Sequence, residues 1–218
     1  MPQFSRDLGF LTLQGYTHAA NRSRKESSFM DVHYCPRCGT ATIKQEDGGR
    51  LRDTCPNCNW IHYTETAIGV GAIIPRGDTV LLVQRGIPPV GLWTLPSGWI
   101  EQEDTLQTAI VREVQEEAGL LCVPKGIVCV RSYPKTFRNE IYVCFLCEVP
   151  PDAVPVPDGV ESTQARFVTP AEYDTLEIGM FTRFVLDHYA RVSAVPLPPS
   201  PSFDCFDAYP NAAVFAPF

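Results

Sequence analysis

The stretch from Gly98 to Leu120, GWIEQEDTLQTAIVREVQEEAGL, constrains the chain more than any other. From Thr105 onward Leu106, Ala109, Ile110, Val114 and Ala118 recur at helical spacing, which predicts an amphipathic helix with one buried stripe. Gly119 stands where that helix should end, as the residue that enters the left-handed cap conformation without a Cβ penalty. Glu113, Glu116 and Glu117 are three and four positions apart, so their carboxylates stack on one side of the helix. Like charges so arranged repel by roughly a few tenths of a kcal/mol per pair on an exposed helix. A hard divalent cation reverses that sign, because Mg²⁺ and Mn²⁺ take oxygen ligands and keep positions open for phosphate. A solvated charged face is the plainer reading of the same residues, so the surroundings must decide.

Upstream lie a glycine-dotted apolar run, Ala67–Ile74, a turn at Pro75-Arg-Gly-Asp78 and a second run, Thr79–Arg85, which together predict a hairpin with a buried face. Downstream, Gly126–Tyr133 and Glu140–Val149 alternate as partly buried strands, and Gln164–Val168 is a shorter one. Cys144 and Cys147 are an odd number apart on a strand and therefore point to opposite faces, while Cys122, Cys129 and Cys205 read as isolated thiols. Gly179–Val192 predicts a closing amphipathic helix whose aromatics read as core.

Before the hairpin stand Cys35-Pro-Arg-Cys38-Gly39 and Cys55-Pro-Asn-Cys58. Two such knuckles, with a probable turn at Glu46-Asp-Gly-Gly49 between short strands, can bring four thiolates to one tetrahedral Zn²⁺. Paired disulfides and a redox motif are the rival readings, but each CxxC is too local to staple a fold. Four cysteines already saturate a structural site, so His33 and His62 are not expected as ligands. Residues 1–30 read as a flexible leader, 31–64 as a zinc ribbon, 65–193 as the main domain and 194–218 as a proline-rich tail.

The net charge of −7 argues against a nucleic-acid backbone as the main partner, though not against a small phosphate ester held by metal and local arginines. No apolar run is long enough to span a membrane and the first thirty residues lack a signal-peptide core. The expectation is a cytoplasmic chain with no membrane and no nucleic-acid partner.

Gly98, an acid at Asp104, then Arg112-Glu113-Val114-x-Glu116-Glu117-x-Gly119-Leu120 resembles the Nudix box, with Asp104 in place of the first glutamate of that pattern. Asp104 can also be read as the helix N-cap, with Gln107 completing a capping box. Gln84-Arg85 and Gly91-Leu92-Trp93-x-Leu95-Pro96 resemble the family's lead-in. The resemblance runs from Cys35 to about Val192 and is strongest to the subgroup with a zinc ribbon, which includes FAD/ADP-ribose and NADH pyrophosphatases. It implies an α/β/α sandwich with a mixed sheet behind a small zinc ribbon, and often a homodimer.

What the resemblance implies for chemistry is hydrolysis of a nucleoside diphosphate linked to another group. Glu113, Glu116 and Glu117 would hold catalytic Mg²⁺ or Mn²⁺, Gly98 would offer backbone to the metal shell, and Arg112 would orient the carboxylates. The general base is a helix carboxylate or an acid from the late loop Asp158-Gly-Val-Glu161, where Glu161 is the candidate and an exposed loop acid the plainer alternative. Trp93, Tyr133 and Phe137 could stack on a base or flavin ring or could simply pack; Arg85 and Arg138 could meet phosphate or water. The NADH branch carries Ser-Gln-Pro-Trp after the box, where this chain has Val130-Arg-Ser-Tyr-Pro-Lys, so FAD and ADP-ribose precede NADH as expected sources of AMP. Nucleoside triphosphate housecleaning and non-catalytic nucleotide sensing are the alternatives, with a nucleic-acid-binding ribbon the weakest.

Overall fold

The computed structural model describes residues 31–63, 65–134 and 139–189. The leader, the proline-rich tail, Cys205, Phe137 and Arg138 lie outside the described residues. The chain divides into two compact units, Met1–His62 and Tyr63–Phe218.

In the first unit, β1 (Ile43–Asp47) and β2 (Arg50–Thr54) pair antiparallel across the Gly48-Gly49 turn, both glycines taking positive φ. Each cysteine knuckle closes on a residue four places after its first cysteine. Gly39 donates its N–H to the Cys35 carbonyl and Asn59 to that of Cys55, with φ of 70° and 58°. Asparagine tolerates the left-handed region better than other residues with a Cβ, so it serves where the second knuckle lacks glycine. The strands bury little. Cys35 and Cys55 are the buried apolar residues here, beside the buried polar pair Asp53 and Thr54. Lys44 bridges Asp31 and Asp53 at 2.6 and 3.1 Å. So small an apolar interior cannot offset chain entropy unaided, which makes a cross-link at the thiols the main source of order.

The second unit runs β3 (Thr66–Ile73), β4 (Pro75–Arg76), β5 (Thr79–Arg85), β6 (Trp93–Thr94), β7 (Ser97–Trp99), α1 (Leu106–Ala118), β8 (Val123–Pro134), β9 (Asn139–Glu148), β10 (Ser162–Val168), a 3₁₀ turn at Pro170–Glu172, and α2 (Met180–Tyr189). One sheet has the order β7-β3-β9-β8, with β3 parallel to β9 and its other pairs antiparallel; the other has β10-β5-β4, with β6 on β5. The two helices cover opposite faces, because alternate residues of a strand point opposite ways. Val70, Ala72, Val143 and Phe145 pack with Ile110 and Val114 of α1, whereas Ile73 and Cys144 pack with Val185 and Leu186 of α2. Ile110 and Val114 are fully buried, each burial contributing about 1.5–3 kcal/mol before entropy. This is the sandwich with a mixed sheet that the sequence predicts. No helix among the described residues is long and apolar enough to cross a membrane.

Two details differ from the sequence reading. Cys122 and Cys129 are not isolated: Cys122 shares the α1-side core with Cys147, and Cys129 stands directly opposite Cys144 in the β8–β9 register. The aromatics of α2 divide as well, Phe181 packing against the core while Phe184 is exposed. Cys144 and Cys147 do fall in the two separate cores, on opposite faces.

Candidate active site

The box helix starts one residue later than a capping Asp104 requires. Thr105 is the N-cap: its hydroxyl accepts the Thr108 N–H at 3.1 Å, and the Thr108 hydroxyl accepts the Thr105 N–H at 2.8 Å, completing a threonine capping box. Asp104 is thereby released for another task. Its Oδ2 accepts from Arg112 Nε at 3.2 Å and Nη2 at 2.9 Å. The same guanidinium donates to Glu113 at 2.7 Å, to Glu116 at 3.1 Å and to the Trp99 carbonyl at 2.9 Å. A planar fork of five donors suits this splayed set of acceptors. At the far end Gly119 caps with φ of 66°, as its place in the sequence predicts.

The helix presents Glu113 and Glu117 as buried side chains and Glu116 as an exposed one. The loop before the helix fits against them through backbone. Ser97 donates its N–H to Glu117 Oε2 at 2.7 Å, and a Cβ on Gly98 would overlap the Glu113 carboxylate, so only glycine lets β7 approach. Burial pushes the Glu117 carboxyl up to about 8; the Ser97 N–H opposes, the charges of Glu113 and Glu161 add, and Arg85 partly offsets. Burial also raises Glu113, against the pull of Arg112. Two carboxylates held close in a half-dry site destabilise one another until a cation or proton intervenes. The oxygen donors and the glycine cradle suit a hard divalent metal in kind. Among the described residues the ribbon cysteines alone converge as a set of three or more ligand atoms, so the three glutamates must draw together around an ion.

Glu161 lies in the loop before β10, exposed, with its charge felt by both Glu113 and Glu117. Arg85 at the end of β5 donates Nη2 to the Pro88 carbonyl at 2.9 Å and leaves its Nε buried without a hydrogen-bond partner. Tyr133 is half-exposed near the end of β8, its ring 5.9 Å from the Arg131 guanidinium. Trp93 corrects the sequence reading: it is 4% exposed in the α2-side core with Arg166 over its ring at 5.0 Å, so it has no face left for a ligand.

Sequence reasoning missed Ser97 as a backbone donor and Tyr142. Tyr142 lies over Gly71, where a Cβ would overlap its hydroxyl. The signal available was the run of glycines in β3, which marks a close approach but not the residue that approaches.

In the first unit the four ligand sulfurs of Cys35, Cys38, Cys55 and Cys58 lie within 4.8 Å of one another. Their resolved contacts are 3.5 Å (Cys35–Cys58), 3.5 Å (Cys38–Cys55) and 3.7 Å (Cys38–Cys58). A tetrahedron with metal–sulfur bonds of about 2.3 Å has edges of about 3.8 Å, so the set fits one closed metal site. Hydrogen bonds with Thr40 and Asn57 draw Cys38 down to about 6. Cys58 goes up to about 12: the Trp60 N–H favours its thiolate, but burial and the neighbouring thiols outweigh it. Metal-free, the cluster resists carrying four negative charges.

An α/β/α sandwich that sets a glycine strand against paired helix carboxylates, following a four-thiolate ribbon in the sequence, is the architecture of a ribbon-bearing nucleotide hydrolase. The chain belongs to the Nudix hydrolase family: the NUDIX domain matches residues 65–187, more than half of its length, and the Nudix N-terminal zinc ribbon matches residues 33–64. It is similar to a NUDIX hydrolase from Nitrosomonas europaea, with 30% identity and a TM-score of 0.65 over 73% of this chain and 91% of that one. It is also similar to the NAD-capped RNA hydrolase NudC of Escherichia coli O1:K1 / APEC, 27% identical over 86% of this chain and 63% of that protein. With the human NAD-capped RNA hydrolase NUDT12 it shares 36% identity over 46% of this chain and 24% of the relative. The chain thus spans 24% and 63% of the length of these two curated relatives.

Proposed function

We propose that the chain hydrolyses the pyrophosphate bond of a nucleoside diphosphate derivative and releases AMP. The observation that carries this is the pair of buried carboxylates, Glu113 and Glu117, packed against the backbone of Gly98 and Ser97 with Glu116 beside them. In this reading Glu113, Glu116 and Glu117 hold Mg²⁺ or Mn²⁺, and the Gly98 backbone borders the metal shell. A bound divalent cation supplies charge neutralisation at the diphosphate and lowers the pKa of a coordinated water. Arg112 fixes the carboxylates, Arg85 offers its guanidinium charge to the phosphates, and Glu161 takes the proton from the attacking water. Tyr133 and the undescribed Arg138 are the remaining substrate contacts. The ribbon binds one Zn²⁺ as a structural ion through its four cysteines.

FAD and ADP-ribose lead as substrates because Val130-Arg-Ser-Tyr-Pro-Lys stands where the NADH branch carries Ser-Gln-Pro-Trp. A second reading, NAD at the end of an RNA, is favoured by the similarity to the NAD-capped RNA hydrolases NudC and NUDT12. A capped RNA would replace the expectation of no nucleic-acid partner, despite the net charge of −7. The deciding experiment ranks FAD, ADP-ribose, NADH, NAD⁺, NAD-capped RNA and nucleoside triphosphates by kcat/KM with Mg²⁺ and Mn²⁺. AMP release from a dinucleotide supports the reading; preference for triphosphates, or no turnover at all, overturns it.

A further inference from the structure

The loop carrying Glu161 is held from two sides. Asp158 Oδ1 accepts the N–H of Val160 at 3.1 Å and of Ser162 at 2.8 Å, and its Oδ2 accepts the N–H of Glu161 at 3.1 Å. Gly159, with φ of 77°, makes the bend and donates to the Ser162 carbonyl at 2.9 Å. From the facing strand Gly86 donates its N–H to the Glu161 carbonyl at 2.7 Å, and a Cβ on Gly86 would overlap the Val160 carbonyl. Glu161 therefore has its N–H fixed by Asp158 and its C=O fixed by Gly86, the residue after Arg85 at the end of β5, while its side chain stays exposed. Partial burial would raise the Asp158 carboxyl, but the three N–H groups win and hold it below the usual range.

We propose that Asp158 is a positioning residue for the reaction: its carboxylate folds the 158–162 turn so that Glu161 is presented to the carboxylates of the box helix. The inference rests on the reading of Glu161 as proton acceptor. An exposed glutamate on a loose loop samples many positions, and proton transfer requires the base within hydrogen-bond reach of the attacking water. Three charge-assisted bonds to consecutive backbone N–H groups remove that freedom at Glu161 and its neighbours. Asp158 touches no reacting atom in this scheme and acts through Glu161 alone.

The test is a double-mutant cycle, read as AMP release from ADP-ribose and from NADH in saturating Mg²⁺. Asp158→Ala should lower kcat by about tenfold to a hundredfold, a large part of what a general base contributes, with KM changed by less than about threefold. Adding Asp158→Ala to Glu161→Ala should lower kcat no further, because the group being positioned is gone. Asp158→Asn should recover most of the rate, since its amide oxygen still accepts the Val160 and Ser162 N–H groups. Gly86→Ala, which displaces the same loop from the other side, should reproduce Asp158→Ala and takes its place in the cycle if that variant does not fold. A wild-type rate in Asp158→Ala, or losses that multiply in the double variant, overturns the positioning role and leaves Glu161 in place. A wild-type rate in Glu161→Ala, or no turnover of either substrate by the wild type, overturns both readings.

Discussion

The N–H of Ser97 donates to Glu117 Oε2 at 2.7 Å across 20 residues of sequence. This bond ties the start of β7 to the last turn of α1 and fixes one carboxylate oxygen. Because the donor is backbone, side-chain changes at position 97 leave it standing, and the acceptor is the place to test.

Glu117→Gln keeps an oxygen for the Ser97 N–H but removes the negative charge. The fold should therefore survive, with a metal-free thermal midpoint close to that of wild type at neutral pH, where the buried carboxyl is already largely protonated. Turnover in saturating Mg²⁺ should fall by about a thousandfold, the scale of losing one electrostatic contact to a developing transition state. A variant retaining more than about a tenth of the wild-type rate would remove Glu117 from the metal set.

The burial of Glu117 also fixes a pH dependence. Its carboxyl has an ordinary value of 4.5 and rises to about 8 in the metal-free fold. The folded state then binds the proton more tightly than the unfolded one, so the contribution to stability is fully present below 4.5 and is lost as pH rises through about 8. Mg²⁺ binds the ionised form and competes with the proton. In zinc-loaded protein the rise in Tm on adding Mg²⁺ should grow steadily from pH 5 to pH 8, read by calorimetry. A gain independent of pH would show that the ion binds elsewhere.

Much of this site is legible in the sequence because it is local. Helical spacing, the cap at Gly119 and the clustering of glutamates within one helix all follow from contacts a few residues apart. What is not legible depends on partners distant in the chain. Trp93 reads equally as stacking platform or core until α2 and Arg166 are seen to cover it. Cys129 reads as isolated until the β8–β9 register sets it opposite Cys144. The start of α1 was ambiguous for another reason: Asp104 and Thr105 are both good caps, and the competition is decided by Arg112, which claims the aspartate.

That outcome makes a prediction for Asp104. It holds Arg112 through two hydrogen bonds to one oxygen, so it supports the carboxylate set at one remove. Asp104→Asn keeps an acceptor and should lose about threefold to tenfold in activity or Mg²⁺ affinity, less than the roughly tenfold to hundredfold that removing an outer-shell partner outright costs. Asp104→Glu should give no large gain. A loss as deep as that of Glu117→Gln would place Asp104 among the ligands instead.

The ribbon's stability rests on its four cysteines. Its strands are largely exposed and its buried apolar residues are two of the cysteines themselves, so it has almost no core to fall back on. The thiols also differ widely in acidity, Cys38 drawn to about 6 and Cys58 driven to about 12, so the metal-free cluster keeps protons that a bound cation must displace. Folding of residues 33–64 and metal binding should therefore be one event. Elemental analysis of protein purified without chelator should find about one zinc per chain. Cys55→Ser should abolish that zinc and the protection of β1 and β2 amides from hydrogen exchange. The strands of the second unit should keep theirs, because its core contains none of these four cysteines. Less than about half an equivalent of zinc, or β1–β2 amides protected as before in the variant, would show that the ribbon holds together without a metal.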